Sequence, residues 1–324
     1  MHKNKIAAVL LSALTLAGLT ACGENAGKSD SRLSIVCTIF PEYDWVRQIL
    51  GTHAEEVSLT YLLDSGADLH NYQPTAQDIA LIAECDLFIY VGGESDEWVG
   101  DALSEAVNKD MQVINLLETV GDRAKEEETV EGMQAEEEEG GEDEPEYDEH
   151  VWLSVKNAQI CCDEIAKRLT LLDKEHYKDY DSNYNEYALQ LMRLDEMFEA
   201  RARNAEQKTL IFGDRFPFRY FADDYGFDYY AAFSGCSAET EASFDTVVFL
   251  AQKIDELKCD TIYVLEGSDK KIAETVIANT EAKNQKIAVL DSMQSVTKAQ
   301  VESGVTYVSL MDKNLDVLRG ESLG

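Results

Sequence analysis

Basic residues are scarce in this chain: 28 Lys+Arg stand against 63 Asp+Glu, a formal net charge of -35. Such a surface repels nucleic-acid phosphates and anionic lipid and attracts cations, so nucleic-acid binding is excluded. Proline is scarcer, 4 in 324 residues, and with 45% hydrophobic residues the chain reads as ordinary globular cores, long enough for two domains. Long apolar runs are also missing, because the most extended one, Ile6 to Leu19, is too short for a membrane-spanning helix. No Cys-X-X-Cys pair suggests a thiolate metal site, and no His-Glu-X-X-His pair suggests a metalloprotease helix.

What the first residues do contain fixes a compartment. Lys3 and Lys5 precede the apolar run, and Leu19-Thr20-Ala21-Cys22-Gly23 follows it, which matches a secretion signal ending in the lipobox of bacterial lipoproteins. Residues 1–22 are therefore expected to be a signal peptide with Cys22 as the point of lipid attachment. Residues 23–32, polar and glycine-containing, are expected to be a flexible tether. More than one acyl chain anchors stably, so the expected location is extracytoplasmic, on the outer face of a bacterial cell membrane. The other six cysteines (Cys37, Cys85, Cys161, Cys162, Cys236, Cys259) could form bridges in an exported protein, with no deducible pairing. Cys37 and Cys85 lie in or beside apolar runs, where a free thiol behaves as a small hydrophobe.

From Leu33 onward short β-branched runs alternate with amphipathic stretches: Leu33 to Ile39, Val57 to Leu63, Asp86 to Val91 and Gln112 to Leu116 as strands, with helical patterns between them. This alternation predicts βα units and a largely parallel sheet in a first α/β lobe, residues 33–174. The segment 126–149 carries 14 acidic residues in 24 positions, with Gly140, Gly141 and Pro145 as breakers, and reads as an acidic, mobile loop. Between Glu175 and Arg203 the residues Tyr177, Tyr180, Tyr184, Tyr187, Leu191, Leu194 and Phe198 recur at spacings of 3 and 4, one apolar face of a long helix. At ~1.5 Å per residue it reaches about 45 Å, a stiff connector over residues 175–204. The alternation then resumes, giving a second α/β lobe over residues 205–324.

Three stretches carry candidate chemistry. Gly66-Ala67-Asp68-Leu69-His70-Asn71-Tyr72-Gln73-Pro74-Thr75 sets a histidine in a turn-rich loop after an apolar run, and Asp148-Glu149-His150-Val151-Trp152-Leu153 sets another before a helix starting near Ser154. Neutral imidazole is the commonest protein ligand for a transition metal. The last apolar run, Lys286 to Leu290, ends in Asp291-Ser292, a carboxylate at the carboxyl end of a strand, where ligands of open α/β sheets sit.

Together the lipobox, the loop around His70, the segment around His150, the Tyr-rich connector and Leu290-Asp291-Ser292 resemble the zinc and manganese solute-binding lipoproteins of bacterial ABC importers. The resemblance runs from about Leu33 to the C-terminus. It implies an α/β fold of two (β/α) lobes with mostly parallel four-stranded sheets, joined by one long rigid helix, with the metal in the cleft between them. It also implies His70 and His150 as ligands from the first lobe and Asp291 from the second. A third implied ligand, an imidazole or carboxylate before Tyr220-Phe221, falls on Arg215. A guanidinium has no lone pair to offer, so either Asp214 replaces it, or water does, or Arg215 pairs with a carboxylate and the site is altered.

The function expected on this basis is capture of a divalent metal, Zn²⁺ first with Mn²⁺ as the alternative, and delivery to a cognate permease and its ATPase by a lipid-anchored monomer that is not an enzyme. A surface metal-binding adhesin is a second alternative. A zinc hydrolase is a remote third, since two histidines, an aspartate and a water would also make an open zinc site.

Overall fold

The computed structural model describes residues 32–134, 146–237 and 241–320. The expected signal peptide, Cys22, nearly all of the tether and the centre of the acidic run lie outside the described residues. No helix among the described residues is long and apolar enough to cross a membrane.

The first half of the chain runs β1 (Ser34–Cys37), α1 (Phe40–Leu50), β2 (Ser58–Tyr61), α2 (Ala76–Glu84), β3 (Leu87–Tyr90), α3 (Trp98–Ser104), β4 (Gln112–Asn115), α4 (Leu116–Val120) and α5 (Val155–Leu172). After the long α6 (Tyr177–Arg203) come β5 (Thr209–Arg215), α7 (Arg219–Tyr225), β6 (Asp228–Phe233), α8 (Phe244–Leu257), β7 (Thr261–Leu265), α9 (Lys271–Asn279), β8 (Lys286–Leu290), α10 (Lys298–Glu302) and α11 (Tyr307–Leu318). The sheets have the orders β2-β1-β3-β4 and β6-β5-β7-β8, and every pairing is parallel. Parallel neighbours need a crossover, and each is supplied by one helix, which is why the sequence alternates as it does.

The strands read as nearly unbroken apolar runs because both faces are covered. Ile35, Cys37, Leu87 and Ile89 point into one core, and their neighbours Val36 and Phe88 point into another beneath α2 and α3. The second sheet divides likewise, with Leu210 and Phe212 on one side and Ile211, Ile262 and Val264 on the other. The largest core is continuous through both halves. It includes Tyr180, Tyr187, Leu191, Leu194 and Phe198 of α6, so the aromatic stripe is core, as its spacing predicts. Its 27 residues span about 40 Å. Near its start Asn183 donates to Ile49 O (3.0 Å), and near its end Arg201 donates to Leu318 O (2.7 Å), so one helix is fastened to both lobes. Tyr177, expected in the stripe, is 45% exposed because the helix begins there.

Side-chain caps define several helix starts: Thr75 with Asp78 ahead of α2, Ser154 ahead of α5, Ser243 ahead of α8, and Thr306 ahead of α11. The short helices α4, α7 and α10 escaped the sequence reading because five to seven residues show too little periodicity. β5 runs to Arg215 with a register shift between Phe212 and Arg215 that re-aims Asp214 and Arg215. The six described cysteines are all free, five of them buried, so the bridges considered from the sequence do not form. The stem of the acidic segment is pinned: Glu127 N donates to Glu146 O (2.7 Å) and Asp148 N to Lys125 O (2.9 Å).

The loops after β8 lie against the first lobe. Tyr61 donates its hydroxyl to Val296 O (2.8 Å), Lys298 N donates to Asp64 O (2.7 Å), and Trp152 donates its indole N–H to Ser292 O (2.8 Å). The carboxyl ends of the strands in both sheets therefore line one cleft, the usual ligand position in open α/β sheets.

Candidate metal centre

His70 sits in a single tight helical turn, Leu69–Asn71, that follows β2. Asp68 caps the turn by accepting from His70 N (3.1 Å), and Leu69, fully buried, anchors it. His150 opens a second such turn, Val151–Leu153, whose three residues are completely buried. Asp148 Oδ1 takes both the backbone N–H (2.9 Å) and the Nδ1 (3.0 Å) of His150. His70 Nδ1 faces Ser95 Oγ (2.8 Å) and Glu149 Oε2 (3.3 Å). Burial alone would raise the Glu149 carboxyl, but His70 and Ser95 together hold it below its ordinary value. Gly93, at φ +82°, leaves room for that carboxylate, since a Cβ there would lie 2.5 Å from Glu149 Oε1.

With oxygens holding both Nδ1 atoms, each ring carries its proton there and leaves Nε2 bare. The two Nε2 atoms face one another at 3.2 Å. Tetrahedral zinc with Zn–N bonds of about 2.05 Å would separate two imidazole nitrogens by about 3.3 Å. The imidazole pair is therefore spaced for one ion before any ion is added. Facing lone pairs repel, and one amide from the second lobe relieves them: Gln294 Nε2 lies 2.7 Å from His150 Nε2 and 3.1 Å from His70 Nε2 and donates one N–H to each. Turned by half a revolution, the same amide presents Oε1 to a cation and donates from Nε2 to Ser292 Oγ. The Ser292 proton already points at Glu266 Oε1 (2.7 Å), so an amide donor there is the better match.

Cys236, in the loop after β6, completes the gathering. Its Sγ and one nitrogen of each imidazole lie within 4.8 Å of one another. Burial, then Asp148, Glu127 and Glu149, push the thiol up, so it is neutral when no cation is present. Glu127, from the stem of the acidic segment, accepts from Cys236 N (3.0 Å), so that segment does reach the cleft.

The remaining sequence-predicted residues have other employment. Asp291 Oδ1 accepts from Met293 N (2.9 Å), and Met293, at φ +62°, turns the chain back so that Gln294, the next residue, faces the histidines. Asp291 is outside the group converging on the imidazoles, and its charge acts on Glu266, whose carboxylate takes the Ser292 N–H and hydroxyl. Burial raises both carboxyls, and the Asp291 charge adds to the effect at Glu266, which is pushed up to about 7. Asp214 is occupied by backbone N–H groups of Arg215 (2.9 Å) and Leu265 (3.3 Å). Arg215 reaches across the cleft to Asp68 Oδ2 (2.5 Å) and donates to Ser237 O (3.3 Å), the ion pair considered from the sequence. Against the cost of burial, that guanidinium holds the Asp68 carboxyl below its ordinary value. The sequence reading missed Gln294 and Cys236. Asp291, the only acid in its loop, drew attention from its neighbour, and a single cysteine without a partner carries no spacing signal.

A family profile described as zinc-uptake complex component A, periplasmic, matches residues 35–320. The chain belongs to this family. It is 29% identical over 317 residues to the zinc-binding lipoprotein AdcA of Streptococcus pneumoniae, covering 96% of this chain but 60% of that protein, so it spans well under two thirds of that relative's length. It is also 29% identical over 314 residues to the high-affinity zinc uptake system protein ZnuA of Bacillus subtilis, covering 94% of both. Among solved structures, the Zn(II)-bound ZnuA-like domain of the pneumococcal AdcA superposes with a TM-score of 0.69 at 27% identity, covering 90% of this chain and 98% of that domain. The zinc-binding protein TroA of Treponema pallidum, at 24% identity and a TM-score of 0.69, shares the fold. The two-lobed architecture with its long helix is thus that of the zinc-uptake component family.

A second cluster of histidines, His53 and His176 with Glu56, lies at the start of α6. His53 has one ring nitrogen on Asp179 (3.0 Å) and the other on Glu56 (3.2 Å), and these two carboxylates raise it above its ordinary value.

Proposed function

We propose that this chain is the extracytoplasmic receptor of an ABC-type importer. In this reading it holds one divalent ion, zinc, between His70 and His150 and passes it to a cognate permease driven by an ATPase. The observation that carries it is the imidazole pair: two bare Nε2 atoms 3.2 Å apart, each ring backed by an oxygen or carboxylate that fixes its tautomer. Membership of a zinc-uptake family supports the choice of cargo. So does the donor chemistry, because two imidazoles and a thiol gather at the site, and nitrogen and sulfur suit zinc better than they suit Mn²⁺.

The ion stays in the cleft because both lobes contribute: the histidines from residues 33–174, the amide of Gln294 from residues 205–324, with residues 175–204 as the stiff span. Arg215, bonded to Asp68 across the cleft, holds the His70 turn in place rather than filling a ligand position. The chain acts as a monomer tethered through a lipid on Cys22. Native mass spectrometry with elemental analysis of the purified protein, followed by calorimetric titration after metal stripping, tests this reading. One equivalent of zinc is expected. A stripped chain that takes up none, or His70→Ala and His150→Ala variants that bind like the parent, would sink it.

A further inference from the structure

Resting on the reading of the cleft as a metal site, we infer that Cys236 is a ligand in this chain, and that the ion is held by His70 Nε2, His150 Nε2 and Cys236 Sγ with the Gln294 amide or a water in the fourth position.

Three observations converge on this. First, Sγ and one nitrogen of each ring are within 4.8 Å of one another, and tetrahedral zinc with bonds of about 2.05 Å to nitrogen and 2.3 Å to sulfur needs N···S separations of about 3.6 Å. The approach required is of the order of an ångström. Second, the loop is built to lie close to the histidine. A Cβ on Gly235 would sit 3.1 Å from both Cε1 and Nδ1 of His150, so glycine at this position lets the backbone that carries Cys236 press on that ring. Third, Arg215 ties the Cys236 loop to the His70 turn, with one guanidinium nitrogen on Ser237 O and another on Asp68 Oδ2. The residue that cannot be a ligand thus clamps the two segments that carry donors, and the third donor comes from the loop after β6 instead of the end of β5.

The chemistry follows from the donor set. As the metal–sulfur bond forms, the thiol proton leaves to solvent, and the resulting thiolate cancels one charge of the dication. A sulfur donor favours Zn²⁺ and other thiophilic ions over Mn²⁺ and Mg²⁺, so Cys236 would set selectivity as well as affinity.

Cobalt(II) reports the ligand directly, because thiolate coordination gives a sulfur-to-cobalt charge-transfer band in the near ultraviolet that nitrogen and oxygen ligands do not. The stripped, reduced full chain titrated with Co²⁺ should develop this band to saturation at one equivalent. Cys236→Ser should lose the band and bind zinc at least tenfold more weakly, about 1.4 kcal/mol, a larger loss than its Mn²⁺ binding suffers. A second measurement needs no variant. Cys236 is the one cysteine of the six described that is not buried. Stoichiometric zinc should therefore slow its alkylation, mapped by peptide mass spectrometry. Full cobalt occupancy without the band, retention of the band in Cys236→Ser, or alkylation of Cys236 at the same rate with and without zinc would each overturn the assignment. If in addition His70→Ala and His150→Ala abolish binding, the sulfur assignment fails and the receptor reading stands. If the parent takes up neither cobalt nor zinc, both fail.

Discussion

Gln294→Glu is the substitution that probes the centre most directly, because it changes an amide to a carboxylate without changing shape at the atom nearest both imidazoles. The amide nitrogen lies 2.7 and 3.1 Å from the two Nε2 atoms, so a carboxylate oxygen there would touch the ion. A unit charge pair 4 Å apart is worth about 4 kcal/mol at an effective dielectric of 20. Removing a carboxylate from water costs several kcal/mol. Glu266, linked to the same Ser292 hydroxyl, adds repulsion in the empty site. The net gain expected is therefore about 1.4 to 3 kcal/mol, a tenfold to roughly hundredfold tightening of zinc binding. Without metal the new carboxylate would draw a proton onto an Nε2, and zinc must displace it, so the gain should shrink as pH falls. Chelator competition at several fixed pH values measures both effects. Zinc binding equal to or weaker than the parent at pH 8, in a variant with unchanged circular dichroism, would refute the placement of Gln294 against the ion.

Three further outcomes are expected. His70→Ala and His150→Ala should each weaken zinc binding at least a hundredfold by calorimetry. His150→Ala should also cost stability, about 1–3 kcal/mol, since His150 is completely buried and Asp148 keeps only the backbone N–H of its two bonds to that residue. Arg215→Ala should destabilise the metal-free chain by about 1–3 kcal/mol near neutral pH, because Asp68 loses the charge that holds its carboxyl low. That contribution exists above the unfolded carboxylate value and disappears as pH falls through the lowered one, so thermal melts of parent and variant should converge in acid. Glu42, fully buried in the first turn of α1, is pushed up to about 8 by burial and by Asp96. The native state keeps this proton while the unfolded chain loses it near pH 4.5. Stability should therefore fall as pH rises from there to about 8, by a few kcal/mol, and Glu42→Gln should flatten the decline in denaturant titrations across that range.

The architecture was legible in the sequence because its signals are local. Strand and helix alternation, the 3-and-4 spacing from Tyr180 to Phe198, and apolar strands such as Leu87 to Tyr90 each follow from covering both faces of a parallel sheet. His70 and His150 were legible too, as rare residues in turn-forming loops flanked by carboxylates two positions away or closer. What the tertiary structure decided is which other groups meet them. Asp291 and Gln294 are three residues apart in one loop, and the choice between them rests on the left-handed turn at Met293 and the Asp291 bond to its N–H. Cys236 is 86 residues from His150 in the chain and becomes its neighbour only through the packing of the β6 loop at Gly235. Arg215 likewise appeared in the sequence as a ligand that could not bind, and its purpose depends on Asp68, 147 residues earlier. Periodicity records which face of an element is buried, whereas a cleft between two lobes is made by contacts whose sequence separation leaves no periodic trace.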